Sequence, residues 1–178
     1  MNEEYFDVLD ENGNKTGITK SRNAVHRDGD WHKAVSIWII RNGEILLQRR
    51  APQKDSYPNM LDASCAGHLD AGEEATACAV RELKEELGLD IDPSDLVLIG
   101  RTSTSTRPRP GFINNEFKDI FALRTNKGPE DMVFQKEEVS EVIYVPFAKL
   151  KEMIDGNAPE LVRHEAEYKI LFDWLARQ

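Results

Sequence analysis

The segment from Gly67 to Leu89 constrains this chain more than any other. Within it Glu82, Glu85 and Glu86 stand at i, i+3 and i+4, and on a helix those positions share one face. Three like charges on one stripe repel, so a solvated helix gains nothing from them. A hard cation such as Mg²⁺ or Mn²⁺ removes the repulsion by accepting their oxygens. Val80, Leu83 and Leu87 repeat at i, i+3 and i+7 in the same segment and predict a core-facing stripe. A helix is therefore expected to begin near Glu73 or Glu74, after Gly72, and to end at Gly88, which suits a left-handed terminating residue. The carboxylate and apolar stripes are expected on different faces. The pattern points to a metal site for phosphate chemistry, with Arg81 beside it and Glu73 about two turns upstream.

The 178 residues fit a single domain, 1–178, with a sizeable core. A net charge of -9 argues against a partner such as a nucleic acid polymer or an anionic membrane surface. An anionic small molecule stays compatible, because a bound metal inverts the local charge. Cys65 and Cys78 are the only cysteines; they make no disulfide framework and read as buried small residues. The chain opens acidic, at Met1-Asn2-Glu3-Glu4, without an apolar leader, and no apolar run approaches membrane-span length. A soluble cytoplasmic protein is expected. Homodimerisation stays open.

Alternating strand and helix signals favour one mixed sheet covered by helices. Phe6–Leu9 and Thr16–Thr19 flank a turn at residues 10–14 and predict an N-terminal hairpin within an extension, 1–30. Ala34–Ile40 and Glu44–Gln48 read as strands joined by the tight-turn pair Asn42-Gly43. Ala51–Ala63 reads as loop. Leu96–Ile99, Glu116–Leu123 and Val142–Val145 read as further strands, the last stopped by Pro146, and Phe147–Ile154 as a short helix. Leu161, Tyr168, Leu171, Trp174 and Leu175 fit an amphipathic helix within 159–178. Arg107-Pro108-Arg109-Pro110-Gly111 reads as a stiff basic loop, either covering a substrate or an ordinary surface feature. Phe112, Phe117, Trp31, Trp38 and Trp174 read as packing residues before ligand-stacking ones.

Gly67, Glu73, Arg81, Glu82, Leu83, Glu85, Glu86, Gly88 and Leu89 fill every fixed position of the Nudix box. The box, 67–89, resembles that of the Nudix hydrolase superfamily. The resemblance implies an α/β class fold: a Nudix-type α/β/α sandwich around a mixed β-sheet, with the N-terminal β-hairpin added. It implies hydrolysis of a diphosphate bond in a nucleoside-diphosphate-like or other organic diphosphate by metal-activated water. Glu82, Glu85 and Glu86 would hold Mg²⁺ or Mn²⁺, helped by a main-chain carbonyl near Ala66 or Gly67. Arg81 would orient Glu82, and Glu73 would brace the loop or a metal-bound water. The general base stays open among Glu82, Glu85, Glu116, Glu138 and Glu141.

A second resemblance is to isopentenyl-diphosphate isomerase, itself of Nudix fold. It rests on Trp31-His32-Lys33-Ala34, on Leu46 to Lys54, on Tyr57-Pro58, on Ala63 to His68 and on Gly111 to Glu116. It implies that Glu116 matches a catalytic glutamate. His32, His68 and, less closely, His26 match metal-binding histidines; His32 and His68 with Glu116 are either part of a second metal site or hydrogen-bonded histidines without an ion. Arg50 and Lys54 match a basic pair gripping the diphosphate, and Arg107 is a further candidate contact. The isomerase's cysteine position is Ala66 here, and Asn114 stands where a metal-binding glutamate would be. Cys65 is one residue early, and in an extended stretch adjacent side chains point to opposite faces. Loss of the thiol with retention of the box glutamates is the pattern of an isomerase-like hydrolase. The isomerase itself and a non-catalytic nucleotide-binding or regulatory Nudix domain are the alternatives.

Overall fold

A computed structural model describes residues 3–54 and 56–178. Met1 and Asn2 of the acidic opening, and Asp55 of the expected loop, lie outside the described residues. The N-terminal hairpin is present as antiparallel strands β1 (Tyr5–Leu9) and β2 (Lys15–Ser21). A short helix, α1 (Arg22–Asp28), follows; it ends at Gly29 with φ of 74°. Its seven residues carry too little periodicity to stand out in sequence.

Strand β3 (Trp31–Arg41) is the axis of the molecule. Asn42 and Gly43 both have positive φ, 49° and 84°, and turn the chain directly into β4 (Glu44–Arg50). This is the twist-matched hairpin turn that an Asn-Gly pair favours. The expected loop after β4 contains one short strand, β5 (Leu61–Asp62), which pairs with β4. Strand β6 (Cys65–His68) pairs antiparallel with β3, with Ala66 opposite Ser36 and Cys65 opposite Ile37.

The box helix, α2 (Ala75–Leu87), ends at Gly88 with φ of 66°. Its buried face is Cys78, Ala79, Leu83, Glu86 and Leu87. Val80, expected in that stripe, is only half-buried; the small side chains of Cys78 and Ala79 take the close approach to the sheet. Glu86 also departs from the expected separation of faces, since it is buried beside Leu83 and Leu87.

Strands β7 (Leu96–Arg109) and β8 (Phe112–Arg124) form a long antiparallel hairpin, and β8 runs parallel to β3 from Trp31 to Ile40. The expected basic loop is thus corrected: Arg107, Pro108 and Arg109 lie in β7, at a register shift, and the turn is Pro110-Gly111. Among the described residues β7 pairs only with β8, so proline is tolerated on this edge. Strand β9 (Val139–Pro146) pairs with β4, and helices α3 (Phe147–Asp155) and α4 (Glu165–Leu175) close the chain. Leu161 precedes α4 and bridges Leu61.

The result is a nine-stranded mixed sheet between two apolar layers. One layer packs α2 on Val35, Ile37, Ile39, Leu46 and Phe121. The other packs α3 and α4 on Trp38, Ile40, Ile45, Leu47, Ile120 and Ala122. Alternation along β3 supplies both layers from one strand. Among the described residues no helix is long and apolar enough to cross a membrane.

Candidate active site

Gly67 shows how β6 and α2 meet. A Cβ on Gly67 would lie 2.1 Å from the carboxyl carbon of Glu82. The box glycine is therefore the space that Glu82 occupies. Arg81 holds the other side of that carboxylate, donating from Nη1 to Glu82 Oε1 at 2.7 Å and to Glu85 Oε2 at 3.1 Å. Its Nε and Nη2 donate to Glu73 at 3.0 and 2.9 Å, and Nη2 also donates to the His68 carbonyl at 3.0 Å. Glu73 in turn accepts from the Asp70 amide at 3.0 Å. One guanidinium thus ties the loop, the strand and two box carboxylates together.

The box leaves excess negative charge in a dry place. Burial and the neighbouring Glu86 raise the Glu82 pKa to about 8. Burial also raises that of Glu86, against the pull of Lys54. Glu86 accepts from Gln48 Nε2 at 3.4 Å, and Gln48 Oε1 is buried without a partner. Glu85 keeps half its side chain exposed. Carboxylates crowded with too few cations suit a hard divalent ion. The main chain around Ala66 runs between Gly67, against Glu82, and Cys65, against Glu86.

The opposite face of β6 carries different chemistry. His26 of α1, His32 of β3 and His68 of β6 bring ring nitrogens within 4.8 Å of one another. His26 Nδ1 lies 2.8 Å from the Arg22 carbonyl and His32 Nδ1 lies 3.1 Å from the Asp30 carbonyl. A carbonyl only accepts, so each Nδ1 carries the proton and each Nε2 a lone pair. His26 Nε2 sits 3.1 Å from the Asn114 carboxamide, which meets that lone pair with its NH₂ when the amide is turned, and His32 Nε2 is buried with no partner among the described residues. Burial lowers all three pKa values, that of His68 to about 3, keeping the rings in the neutral, ligating form. Phe6 stacks on His32 and His68, with centroids 5.3 and 5.0 Å away. His68 Nε2 meets Glu116 Oε1 at 2.9 Å. Burial opposes charge on Glu116, but Lys118 and His68 outweigh it and hold the carboxylate ionised.

A NUDIX domain model matches residues 30–165, most of the chain. This chain belongs to the Nudix family. It is 42% identical over 182 aligned residues to Nudix hydrolase 3 of Arabidopsis thaliana, an alignment covering 97% of this chain and 23% of that protein. The chain thus spans about a quarter of its plant relative's length. It is also 37% identical over 134 residues to an isopentenyl-diphosphate Delta-isomerase from Jannaschia sp., covering 74% of this chain and 73% of that one. The crystal structure of DR0079 from Deinococcus radiodurans shares the fold, with a TM-score of 0.69 at 21% identity over 94% of this chain and 97% of that one. Family membership supports a Nudix hydrolase acting on diphosphate bonds in general, and both branches suggested by the motifs have relatives.

Around this Nudix site the remaining expected residues take distinct places. Glu82, Glu85, Arg81 and Glu73 gather on the α2 side, with Glu86 buried on the same helix, while Ala66 lies in β6 between Cys65 and Gly67. Glu116 stands apart from them, with the imidazoles across β6. Lys54 borders the box: it pairs with Glu138 and feels the charges of Glu86 and Glu82. Arg50 is committed to structure, donating to Asp62 at 2.9 Å and to the Ser56 carbonyl at 2.9 Å. Glu141 pairs with Arg49, and Arg107 is exposed on the edge strand. Cys65 faces the α2 core with Val35 and Ile37, on the side away from Glu116.

Sequence reasoning missed Lys118, Asp62, His164, Glu167 and Gln48. Lys118 had a readable signal, since it lies two residues after Glu116 on one strand and shares its face. The others converge only through tertiary contacts.

Proposed function

We propose that this chain hydrolyses the diphosphate of a small organic or nucleoside-diphosphate-like substrate, using Mg²⁺ or Mn²⁺ held by Glu82, Glu85, Glu86 and a carbonyl at Ala66. The observation that carries the proposal is the pair of buried box carboxylates, Glu82 and Glu86, pressed around one stretch of main chain with their charges undercompensated. When bound, the ion would acidify a water and neutralise phosphoryl oxygens. Arg81 fixes Glu82 and Glu85, and Glu73 fixes Arg81. Lys54 offers a positive charge to the diphosphate beside Glu86, while Arg50 shapes the loop that carries Lys54, through Ser56. Glu85 is half-exposed beside Arg81, and the base that takes the proton from water stays open among Glu82, Glu85, Glu116, Glu138 and Glu141. Arg107 would reach the substrate from the edge strand.

A second cation site is favoured by the orphaned Nε2 of His32 among three neutral imidazoles. Neutral imidazole donors suit a transition metal such as Zn²⁺ better than Mg²⁺. The isomerase reading meets a geometric obstacle. Ala66 occupies the face shared with His68 and Glu116, and the nearest thiol in sequence, Cys65, points the other way. Proton transfer would lack its second partner.

The test is a screen of nucleoside, sugar, coenzyme and prenyl diphosphates with Mg²⁺, Mn²⁺ or EDTA. Metal-dependent phosphate release on at least one class is expected. No turnover of any class would overturn the proposal, and deuterium uptake into isopentenyl diphosphate would establish the isomerase instead.

A further inference from the structure

A line of alternating charges crosses the layer beneath α4 and ends at Glu116. Arg50 Nη1 meets Asp62 Oδ2 at 2.9 Å, and Asp62 Oδ1 meets His164 Nε2 at 2.6 Å. His164 Nδ1 lies 3.5 Å from Glu167 Oε1. Lys118 Nζ sits between two carboxylates, 3.1 Å from Glu167 Oε1 and 3.2 Å from Glu116 Oε2. Glu167 is fully buried, and its Oε2 has no hydrogen-bond partner among the described residues, although the nearby Ser36 side chain helps Lys118 and His164 hold the carboxylate ionised. A buried carboxylate oxygen without a hydrogen bond is costly and calls for a reason. Here one oxygen lacks that bond while the ammonium reaches across to Glu116.

An ammonium and a metal ion compete for the same carboxylate. The more Lys118 is drawn to Glu167, the freer Glu116 is to face the imidazoles. We propose that Glu167 is a positioning residue for the imidazole side of the site: it draws the Lys118 ammonium off Glu116, and so sets how tightly His26, His32, His68 and Glu116 hold a divalent cation. α4 thereby tunes a site to which it contributes no ligand. The proposal rests on reading the imidazole cluster as a cation site and is independent of hydrolysis.

The test titrates the full chain with Co²⁺ alone and follows the visible absorption of a nitrogen-ligated ion, the part lost in His32→Ala reporting on this cluster. Lys118→Met should tighten Co²⁺ binding on the order of tenfold, and Glu167→Gln should weaken it by a similar factor, the size expected of groups that orient a ligand. In the Lys118→Met background Glu167→Gln should have no further effect, because it acts through Lys118. The double variant removes both charges together and so keeps the comparison should either single variant fail to fold. It must bind Co²⁺ more tightly than the wild type. Four results would each overturn the proposal: no His32-dependent Co²⁺ binding in the wild type, weakening by both single variants, an unchanged Glu167→Gln, or a double variant that binds no tighter than the wild type. Turnover plays no part in the readout, so failure here leaves the diphosphate hydrolase reading intact, and the converse also holds.

Discussion

Replacing Gly67 by alanine should separate activity from stability. The added Cβ would stand 2.1 Å from both Cδ and Oε1 of Glu82 and 2.4 Å from Cγ, whereas ordinary contact begins at 3.4 Å. The Glu82 carboxylate must therefore retreat by about 1.3 Å. Glu82 has somewhere to go, because the clash is with the far end of a flexible side chain and the backbone of Gly67 needs no positive φ. Moving would lengthen its 2.7 Å bond to Arg81 and lose part of the about 1.5–3 kcal/mol that a charged hydrogen bond contributes. Misplacing a reacting group by about 1 Å costs about a hundredfold in rate. Gly67→Ala should then lower metal-dependent kcat about a hundredfold while the thermal midpoint drops by only a few degrees. Steady-state hydrolysis and calorimetry on the same preparation read both quantities. Wild-type kcat in Gly67→Ala would refute the reasoning, because Glu82 would then not need the space beneath Gly67.

Stability of the metal-free protein should fall as pH rises from 4.5 to about 8. Over that window folded Glu82 holds a proton that the unfolded chain releases, so Mg²⁺ should raise the melting temperature more at pH 8 than at pH 5. His164 gives a second pH dependence. Burial opposes its charge, but Glu167 and Asp62 outweigh it and raise its pKa above 6.5. Its contribution is complete below pH 6.5 and lost as pH climbs through the raised value, so a denaturant series across pH 6–9 should show a decline that His164→Gln flattens. Asp62→Ala should cost about 3–5 kcal/mol in chemical denaturation, since it strands the buried Arg50 and His164. Cys65→Ala should leave hydrolysis within about twofold and cost about 1 kcal/mol of stability, as a core truncation does; a collapse of activity would restore a chemical role for that thiol.

The box was legible because its residues act through fixed helical spacing. Glu82, Glu85 and Glu86 lie within two turns of one helix, and Gly88 ends it with positive φ. Alternation likewise sent Cys65 and Ala66 to opposite faces of β6, which register and burial support. Asn42-Gly43 marked its hairpin because only a few residues tolerate two positive φ values in succession. Other features had no local signature. The outer part of β7, from Arg101 to Arg109, has polar residues on both faces, so the apolar alternation that identifies a strand is missing. α1 is held by His26 packing on Phe112 with centroids 4.2 Å apart, a contact between residues far apart in sequence. The Asp62–His164–Glu167–Lys118 line joins β5, α4 and β8, and no spacing along the chain encodes it.

The central claim is attack on phosphorus by water at the box carboxylates. Turnover of the best diphosphate substrate in ¹⁸O-labelled water with Mg²⁺ reads it directly. One ¹⁸O is expected per turnover in the released phosphate product, with turnover abolished by EDTA and reduced by orders of magnitude in Glu86→Gln. Product formed without ¹⁸O at phosphorus, or undiminished turnover in Glu86→Gln, would contradict it.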